Sequence, residues 1–316
     1  MKKTTMYQIV CEHCGKTKET AHRKQRFCCH NCFRDSALPT SFNPRFFEQT
    51  DNPEVAYWVG FIAADGCVTP TSCGTPQISI ALHPRDRDHL LLFRDYIGAS
   101  HCRLYERTQN ILLDMKIAHR DLRDGLAMWG LVRNKTYDFR EAPELWSRPG
   151  IVPHLLRGLW DGDGCIWTQR KETGEIFNCG MSVTGNPWMM GWVREQLCRQ
   201  GFHPTVQDQG HKILNDGTNY CTRTISLCKQ SEVVKFIEWL HFTDPEVPGL
   251  ARKRESAREL SEWIQEARTH RPCLFCGTSF SPTRRPQVCC SPACSSARRS
   301  YKVRKQLSAT PISHPE

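Results

Sequence analysis

Hydrophobic positions along the chain follow two spacings. In segments 77–83, 111–118 and 177–184, apolar residues alternate with polar ones, which predicts strands with one buried and one open face. The residues predicted to face inward in the last two are Ile111, Leu113, Met115, Ile117, Phe177, Cys179, Met181 and Val183. Further strands are predicted at 67–71, 102–107, 165–170, 203–208 and 220–227, and amphipathic helices at 86–97, 120–129, 187–200, 232–240 and 251–267. The order of these elements repeats along the chain.

Each repeat begins with an apolar helix that ends in Asp-Gly. The two copies are VAYWVGFIAADG (55–66) and PHLLRGLWDGDG (153–164). Both have small residues four positions apart, which lets two helix backbones approach closely: Gly60, Ala64, Gly158 and Gly162. If the copies pack through these faces, Asp65 and Asp163 lie side by side, where two negative charges are costly unless a cation binds them. One such helix is unremarkable, because Gly commonly ends helices, but two copies predict a metal site on a pseudo-twofold axis.

Cysteines cluster at both ends of the chain. Both clusters contain the spacing C-x2-C-x13-C-x3-C, formed by Cys11, Cys14, Cys28 and Cys32 and by Cys273, Cys276, Cys290 and Cys294. Zinc takes four such thiolates, so Cys29 and Cys289, which fall outside the shared spacing, are not predicted ligands. The pattern resembles a treble-clef zinc finger, with redox pairs, or His13, His22 or His30 as a substitute ligand, as alternatives. Segments this small bury little core, so metal binding would supply their folding energy.

Charge and composition narrow the class of protein. The chain has 316 residues, 39% of them apolar, enough for two packed units. We predict a soluble intracellular protein, in the cytoplasm or nucleoid of a bacterial, phage or organellar host, because neither a membrane span nor a signal peptide is recognisable. Residues 1–40 hold eight basic and three acidic residues and residues 271–316 hold eight and one, although the net charge of the whole is only +10. Basic ends of this kind favour a polyanion such as nucleic acid.

The predicted organisation is α+β, with two pseudo-symmetric αββαββα repeats that contribute two antiparallel sheets, and two small zinc modules. The boundaries are 1–40 for the first finger, 41–150 and 151–269 for the repeats, 270–305 for the second finger with a basic helix, and 306–316 for a tail. Segment 36–52 is predicted to be a linker. Gly-Leu-Val-Arg-Asn-Lys at 130–135 and Gly-Leu-Ala-Arg-Lys at 249–253 place Lys135 and Lys253 after the closing helix of each repeat.

The strings WVGFIAADG (58–66) and LRGLWDGDG (156–164) resemble the motif of the LAGLIDADG homing endonucleases, in their single-chain form with two motifs. The likeness covers roughly residues 41–268. It implies a monomeric enzyme whose saddle of two sheets binds double-stranded DNA and makes a double-strand break with 3′ overhangs. Ala63 stands where the family commonly has an acid, whereas Asp161 retains it; we interpret Asp161 as structural.

The resemblance also implies residue roles. Asp65 and Asp163 would bind Mg²⁺ together with Ala64 and Gly162. Lys135 and Lys253 match the family's basic residues, which polarise the water or stabilise phosphorane charge. A polar residue from each hairpin usually joins them, and we nominate the pair Gln77 and Asn178.

DNA contacts are expected from outward strand residues and from the last helix, because Arg and Lys favour guanine, Gln and Asn favour adenine, and basic helices bind phosphate. The candidates are Arg103, Tyr105, Arg107, Lys116, Gln169, Lys171, Thr222, Arg223, Thr224, Arg298, Arg299 and Lys302. The alternatives left open are an intron maturase that binds RNA and a regulator that binds DNA without cutting it. An intein is set aside, since residue 1 is not a nucleophile and the chain lacks a His-Asn end.

Overall fold

The computed structural model describes residues 5–71, 74–107, 111–133, 139, 143–172, 176–210, 212–213, 219–266, 271–282 and 287–308, with the backbone alone for 212–213, 219–220 and 302–308. The predicted α+β organisation is confirmed. Two four-stranded antiparallel sheets are each covered on one face by helices, and a small two-stranded hairpin with a helix lies at either end of the chain. Among the described residues, no helix is long and apolar enough to cross a membrane.

The first repeat contains the helices α2 (Pro53–Asp65), α3 (Arg87–Tyr96) and α4 (Arg120–Met128) and the strands β3 (Gly66–Pro70), β4 (Pro76–Leu82), β5 (Leu104–Arg107) and β6 (Leu112–Ala118). The second contains α5 (Val152–Gly162), α6 (Pro187–Arg199) and α7 (Gln230–Trp239) and the strands β7 (Gly164–Arg170), β8 (Ile176–Gly185), β9 (Thr205–Asp208) and β12 (Arg223–Leu227). The sheet orders β3-β4-β6-β5 and β7-β8-β12-β9 are the same, which establishes the internal repeat.

Outside the repeats, the first finger contains β1 (Tyr7–Val10), β2 (Thr17–Thr20) and α1 (His30–Asp35). After α7 come α8 (Ala251–Glu266) and the second finger, with β13 (Arg271–Pro272), β14 (Ser279–Phe280) and α9 (Pro292–Ser308). A short pair, β10 (Lys212–Ile213) and β11 (Asn219–Tyr220), was not predicted. Three short 3-10 turns complete the described elements: Phe46–Glu48, Pro84–Asp86 and Glu144–Ser147.

The buried faces of the strands follow the predicted alternation except at two positions. Leu113, Met115 and Ile117 are buried, as are Cys179, Met181 and Val183. Ile111 is instead 67% exposed and has a φ of 50°, because it lies in the turn before β6. Phe177 is 46% exposed, because the pairing of β7 with β8 shifts by one residue beside it, and a one-residue shift turns a side chain to the other face. Both inward predictions were wrong.

Segment 36–52 was predicted as a linker, but part of it packs into the core of the first repeat. Phe46 and Phe47 are buried, and Trp129 Nε1 donates a hydrogen bond to the Phe47 carbonyl oxygen at 2.8 Å. The cause is the burial of two adjacent aromatic side chains, which removes a large apolar area from water. The first finger therefore connects to the repeat through an anchored segment.

Candidate functional site

The two motif helices α2 and α5 pack against each other through their glycines. A Cβ atom added to Gly60 would lie 2.0 Å from the carbonyl oxygen of Leu155, and one added to Gly158 would lie 2.0 Å from that of Tyr57. Any larger side chain would push the two backbones apart. The close approach that the small residues predicted is present, and it is reciprocal, as a pseudo-twofold axis requires.

Both candidate metal-binding carboxylates lie where this helix pair ends. Asp65 is the last residue of α2 and Asp163 follows α5, and both are exposed although the helices are buried. A Cβ at Gly162 would lie 3.4 Å from Asp65 Oδ2, so the Asp65 carboxylate lies against the end of the partner helix. The carbonyl ends of helices carry partial negative charge, which disfavours an Asp but attracts a cation. Oxygen donors at two such ends suit a divalent cation of the Mg²⁺ type.

Lys253 lies beside these carboxylates and binds the end of α5. Its Nζ lies within hydrogen-bond distance of the carbonyl oxygens of Trp160 (2.7 Å), Asp161 (2.5 Å), Gly162 (3.0 Å) and Gly164 (2.7 Å), which share its three N–H donors. Burial lowers the pKa of Lys253 to about 8, against the attraction of Asp161, Asp65 and Asp163. Its ammonium group therefore lies within electrostatic reach of both exposed carboxylates. Lys135 lies outside the described residues.

A buried polar network connects the two repeats behind the carboxylates. The Asp161 Oδ2 atom accepts hydrogen bonds from Tyr57 Oη (2.9 Å), Arg157 Nε (3.0 Å) and the Leu250 amide (3.1 Å). Because the Tyr57 hydroxyl donates to Asp161, it accepts from Nε2 of the buried His89, at 3.0 Å. Burial lowers the pKa of His89 to about 4, so its ring is neutral. The network agrees with a structural role for Asp161.

Arg157, which is unusual in an apolar motif helix, is wholly buried within this network. Its Nη1 donates to the carbonyl oxygen of His241 at 3.0 Å, and its guanidinium carbon lies 3.9 Å from the ring centroid of Phe242. A buried guanidinium is tolerated only when it is paired and hydrogen-bonded. Asp161 and the segment 241–250 provide those partners, so the network fixes the segment that leads to Lys253.

The nominated polar pair, Gln77 and Asn178, does not occupy equivalent positions. Pairing of Gly66 with Ile80 corresponds to pairing of Gly164 with Val183. Counted from these pairs, the counterpart of Gln77 is Gly180. Asn178 Nδ2 donates to Gln169 Oε1 at 3.0 Å on the second sheet. The equivalent residues nearest the Asp-Gly ends are instead two cysteines and two serines, which the sequence reasoning missed: Cys67, Cys165, Ser79 and Ser182.

The candidate DNA-binding residues lie at several places. Tyr105, Arg107 and Lys116 lie on the open face of the first sheet, and Gln169 and Thr224 on that of the second; Arg103 is exposed directly before β5 and Lys171 directly after β7. Thr222 is half-buried before β12. Arg223 has the register of the core residue Ile225 and pairs with Asp208, with its Nε 2.6 Å from Oδ1. Arg298 and Arg299 lie on α9; the side chain of Lys302 lies outside the described residues.

Each finger brings its four predicted cysteines together. In both sets the sulfur atoms all lie within 4.8 Å of one another. Neighbouring sulfurs are 3.6 Å apart for Cys14 and Cys28 and 3.5 Å apart for Cys290 and Cys294, close to the about 3.8 Å edge of a tetrahedron of thiolates on zinc. Four thiolates at this spacing fit zinc, whereas oxygen-preferring cations would not select them.

The first pair of cysteines in each finger lies in the same tight turn. Gly15 and Gly277 have φ values of 70° and 75°, which favour glycine, and each amide donates to the carbonyl oxygen of the first cysteine at 2.9 Å. In the second finger, hydrogen bonds lower the pKa of Cys273 to about 5, and the largest contribution comes from the backbone amide of Cys276. The lowered pKa favours the thiolate that zinc requires. Identical turns at the two ends support a common metal chemistry.

Substitution of one ligand should remove one zinc ion from the purified protein. We expect about two zinc ions per chain in the wild type, one for each four-cysteine group. The variant Cys28→Ser should retain about one, because a serine hydroxyl is a poor zinc ligand at neutral pH. The adjacent Cys29→Ser is the matched control and should retain both ions. Metal analysis by mass spectrometry measures the difference; equal zinc in the two variants would overturn the ligand assignment.

Comparison with known proteins gives a likeness of fold. No protein-family model and no curated protein sequence matches the chain. Among solved structures, it is similar to the meganuclease I-SmaMI bound to uncleavable DNA, with 14% identity and a TM-score of 0.45 over 67% of this chain and 88% of that chain. It is also similar to the LAGLIDADG homing endonuclease I-GzeII in complex with its DNA target, with 14% identity and a TM-score of 0.44 over 67% and 89%.

The chain resembles the single-chain LAGLIDADG homing endonucleases. At this identity and TM-score, the likeness is one of fold alone.

Proposed function

We propose that this protein is a site-specific DNA endonuclease that hydrolyses one phosphodiester bond in each strand of a long target. One observation supports the proposal above the others. Asp65 and Asp163 are exposed at the joined ends of a buried helix pair, and each is followed directly by a four-stranded sheet. Structural demands alone do not explain two exposed carboxylates at negative helix ends.

The donor set is compatible with the proposed cofactor, Mg²⁺, because carboxylate and carbonyl oxygens suit hard divalent cations. Asp65 and Asp163 would hold Mg²⁺, with the carbonyl oxygens of Ala64 and Gly162 as further ligands. Bound there, divalent cations supply an activated water and charge stabilisation of the leaving oxygen. Two pseudo-symmetric carboxylates account for one cut in each strand by one chain, so the enzyme is proposed to act as a monomer. The 3′ overhangs follow from the family resemblance.

The chain's own groups around the carboxylates support the same chemistry. Lys253 places a positive charge beside the developing negative charge of a phosphodiester under attack, where a fixed cation stabilises the transition state. Lys253 also holds the end of α5 through its hydrogen bonds to four carbonyl oxygens, and it thereby positions Asp163. Lys135 is proposed for the first repeat by the same repeat position.

Double-stranded DNA is the proposed partner of both sheets and fingers. The open strand faces carry residues that donate to base edges, and the basic excess lies in the terminal segments 1–40 and 271–316. Contacts of the fingers with flanking phosphates would lengthen the footprint without adding sequence preference.

Incubation of the full chain with a library of random double-stranded DNA and Mg²⁺ tests the function. Sequencing of newly formed ends should recover one family of related sites, cut in both strands with 3′ overhangs. No cutting of DNA that the protein binds selectively would favour a non-cleaving regulator. Selective binding of structured RNA over every duplex DNA would favour a maturase.

A further inference from the structure

We propose that Arg107 and Gln209, which occupy equivalent positions on the two sheets, recognise guanine in one half of the DNA target and adenine in the other. This inference rests on the proposed DNA-binding function. It makes the target non-palindromic at two pseudo-symmetric positions, although the chain has repeated architecture.

The equivalence follows from strand register. In the first sheet, Ala81 pairs with Asp114 and Asp114 with Tyr105, so Arg107 lies diagonally from Asp114 on the same face. In the second sheet, Thr184 pairs with Thr224 and Thr224 with Gln207. The Gln209 amide donates to the Thr222 carbonyl oxygen at 2.8 Å, which continues the ladder by the same two residues. Arg107 and Gln209 are therefore counterparts, as are Asp114 and Thr224.

Arg107 is held in a fixed orientation by an acidic side chain. Its Nε and Nη2 donate to Asp114 Oδ2 at 2.9 and 2.6 Å. Ser79 Oγ donates to Asp114 Oδ1 at 2.9 Å, and Lys116 Nζ lies 3.3 Å from Oδ2. Asp114 is only 2% exposed although it lies on the open face, because these side chains surround it. Burial would raise the pKa of its carboxyl, but hydrogen bonds from Arg107 and Ser79 lower it, so the carboxylate stays charged.

The orientation of Arg107 leaves a donor edge for DNA. Asp114 engages the Nε–Nη2 edge, and Nη1 makes no hydrogen bond to any residue that the structure describes. The Arg107 side chain is 45% exposed. The two donors of the Nη1–Nη2 edge match the O6 and N7 acceptors of guanine. A guanidinium fixed beforehand loses less entropy on binding than a mobile one, which sharpens the preference.

The Gln209 side chain is oriented by hydroxyl groups, where Arg107 is oriented by a carboxylate. Its Nε2 donates to Thr224 Oγ1 at 3.3 Å, and the Thr224 and Thr184 hydroxyls lie 2.7 Å apart. One further N–H of the amide and its carbonyl oxygen match the N7 acceptor and N6 donor of adenine. The charged pair Arg107 and Asp114 of the first sheet thus has an uncharged counterpart, Gln209 and Thr224, in the second. The different chemistry at one position of the repeat is what assigns different bases to the two half-sites.

Selection of bound duplexes from a random library tests the assignment. The wild type should select guanine at one position and adenine at the pseudo-symmetric position of the other half-site. Arg107→Gln should reduce the guanine preference on the order of tenfold and move it toward adenine. Gln209→Arg should move the other position toward guanine, and Gln209→Arg with Thr224→Asp should strengthen that change by rebuilding the support.

Arg199→Gln is the matched control, since Arg199 is also an exposed, ion-paired arginine but lies on α6 in the helix layer, with its pair to Glu195 at 2.6 Å. Its selected sequences should equal those of the wild type. The Arg107→Gln variant could misfold because it leaves Asp114 unpaired. In that case Gln209→Arg, which leaves no carboxylate unpaired, still tests the base assignment. Selective binding with unchanged base preferences in the Gln209 variants would overturn the inference alone. Absence of any DNA binding by the folded wild type would overturn the proposed function instead.

Discussion

The variants Asp65→Asn and Asp163→Asn are each expected to cut DNA about a thousandfold more slowly than the wild type. An amide keeps the shape of the carboxylate but loses the charge that holds a divalent cation, and such a cation contributes several kcal/mol of transition-state stabilisation. Because a Cβ atom at Gly162 of the partner helix would lie 3.4 Å from Asp65 Oδ2, we expect the two carboxylates to act together. Either single variant should therefore slow cutting of both strands, and the double variant should show no cutting.

A supercoiled plasmid that carries the selected target distinguishes cutting of one strand from cutting of both. One broken strand gives open circular DNA, and two broken strands give linear DNA. The control is Asp124→Asn, an exposed Asp on α4 that pairs with Arg123. It should cut at the wild-type rate. The Asp65→Asn and Asp163→Asn variants should keep their zinc and bind the target within a few-fold of wild type. Wild-type cutting by both would refute the assignment of the carboxylates.

Asp161→Ala is expected to destabilise the core by about 3–5 kcal/mol, the usual cost of removing one partner of a buried ion pair. The variant leaves Arg157 charged and wholly buried, and it also removes the acceptor of Tyr57 Oη and the Leu250 amide. Asp161 belongs to the second motif, but it faces the protein and not solvent. The substitution should therefore lower the free energy of unfolding more than it lowers the rate of DNA cleavage.

The midpoint of urea unfolding, followed by the fluorescence of the buried tryptophans, measures this loss. The double variant Arg157→Leu with Asp161→Leu is the informative partner, because it removes both charges together. It should be more stable than Asp161→Ala alone, since apolar replacements of buried ion pairs are often tolerated. A loss below about 1 kcal/mol in Asp161→Ala would contradict the buried-pair account.

Local patterns were sufficient for most elements of the two repeats. Alternation at 77–83 and the 3.6-residue spacing at 187–200 correspond to β4 and α6, since burial of one face sets both periods. The pattern failed at Ile111 and Phe177, where a turn and a shifted pairing override alternation. The error at Ile111 comes from the turn that precedes β6. The error at Phe177 comes from the neighbouring strand, whose register cannot be deduced from the segment itself.

Some residues of the candidate site were predicted from the sequence and others were not, again because some contacts lie within one segment and others join separate strands. Cysteine spacing specified both zinc sets, because the four ligands lie in one short segment. Gln77 and Asn178 were chosen as one polar residue from each hairpin, but pairing from Gly66 and Gly164 shows that they are not equivalent. Asp114 and Gln209 were missed. The signal for Gln209 was its continuation of the 205–207–209 alternation beyond the strand; for Asp114 it was only a diagonal relation to Arg107.

The motif helices α2 and α5 combine features that the sequence determines with contacts that only the tertiary structure determines. Their small residues, their terminal carboxylates and their duplication are properties of the chain alone, because each depends on residues four apart or on a repeat that can be aligned. The residues that they contact in the folded protein are not determined by such local patterns. That Asp161 binds Tyr57 and Leu250, that Lys253 holds the end of α5, and that Arg107 has Gln209 as its counterpart all depend on contacts between distant segments. Such contacts exist only once packing and strand register bring the segments together.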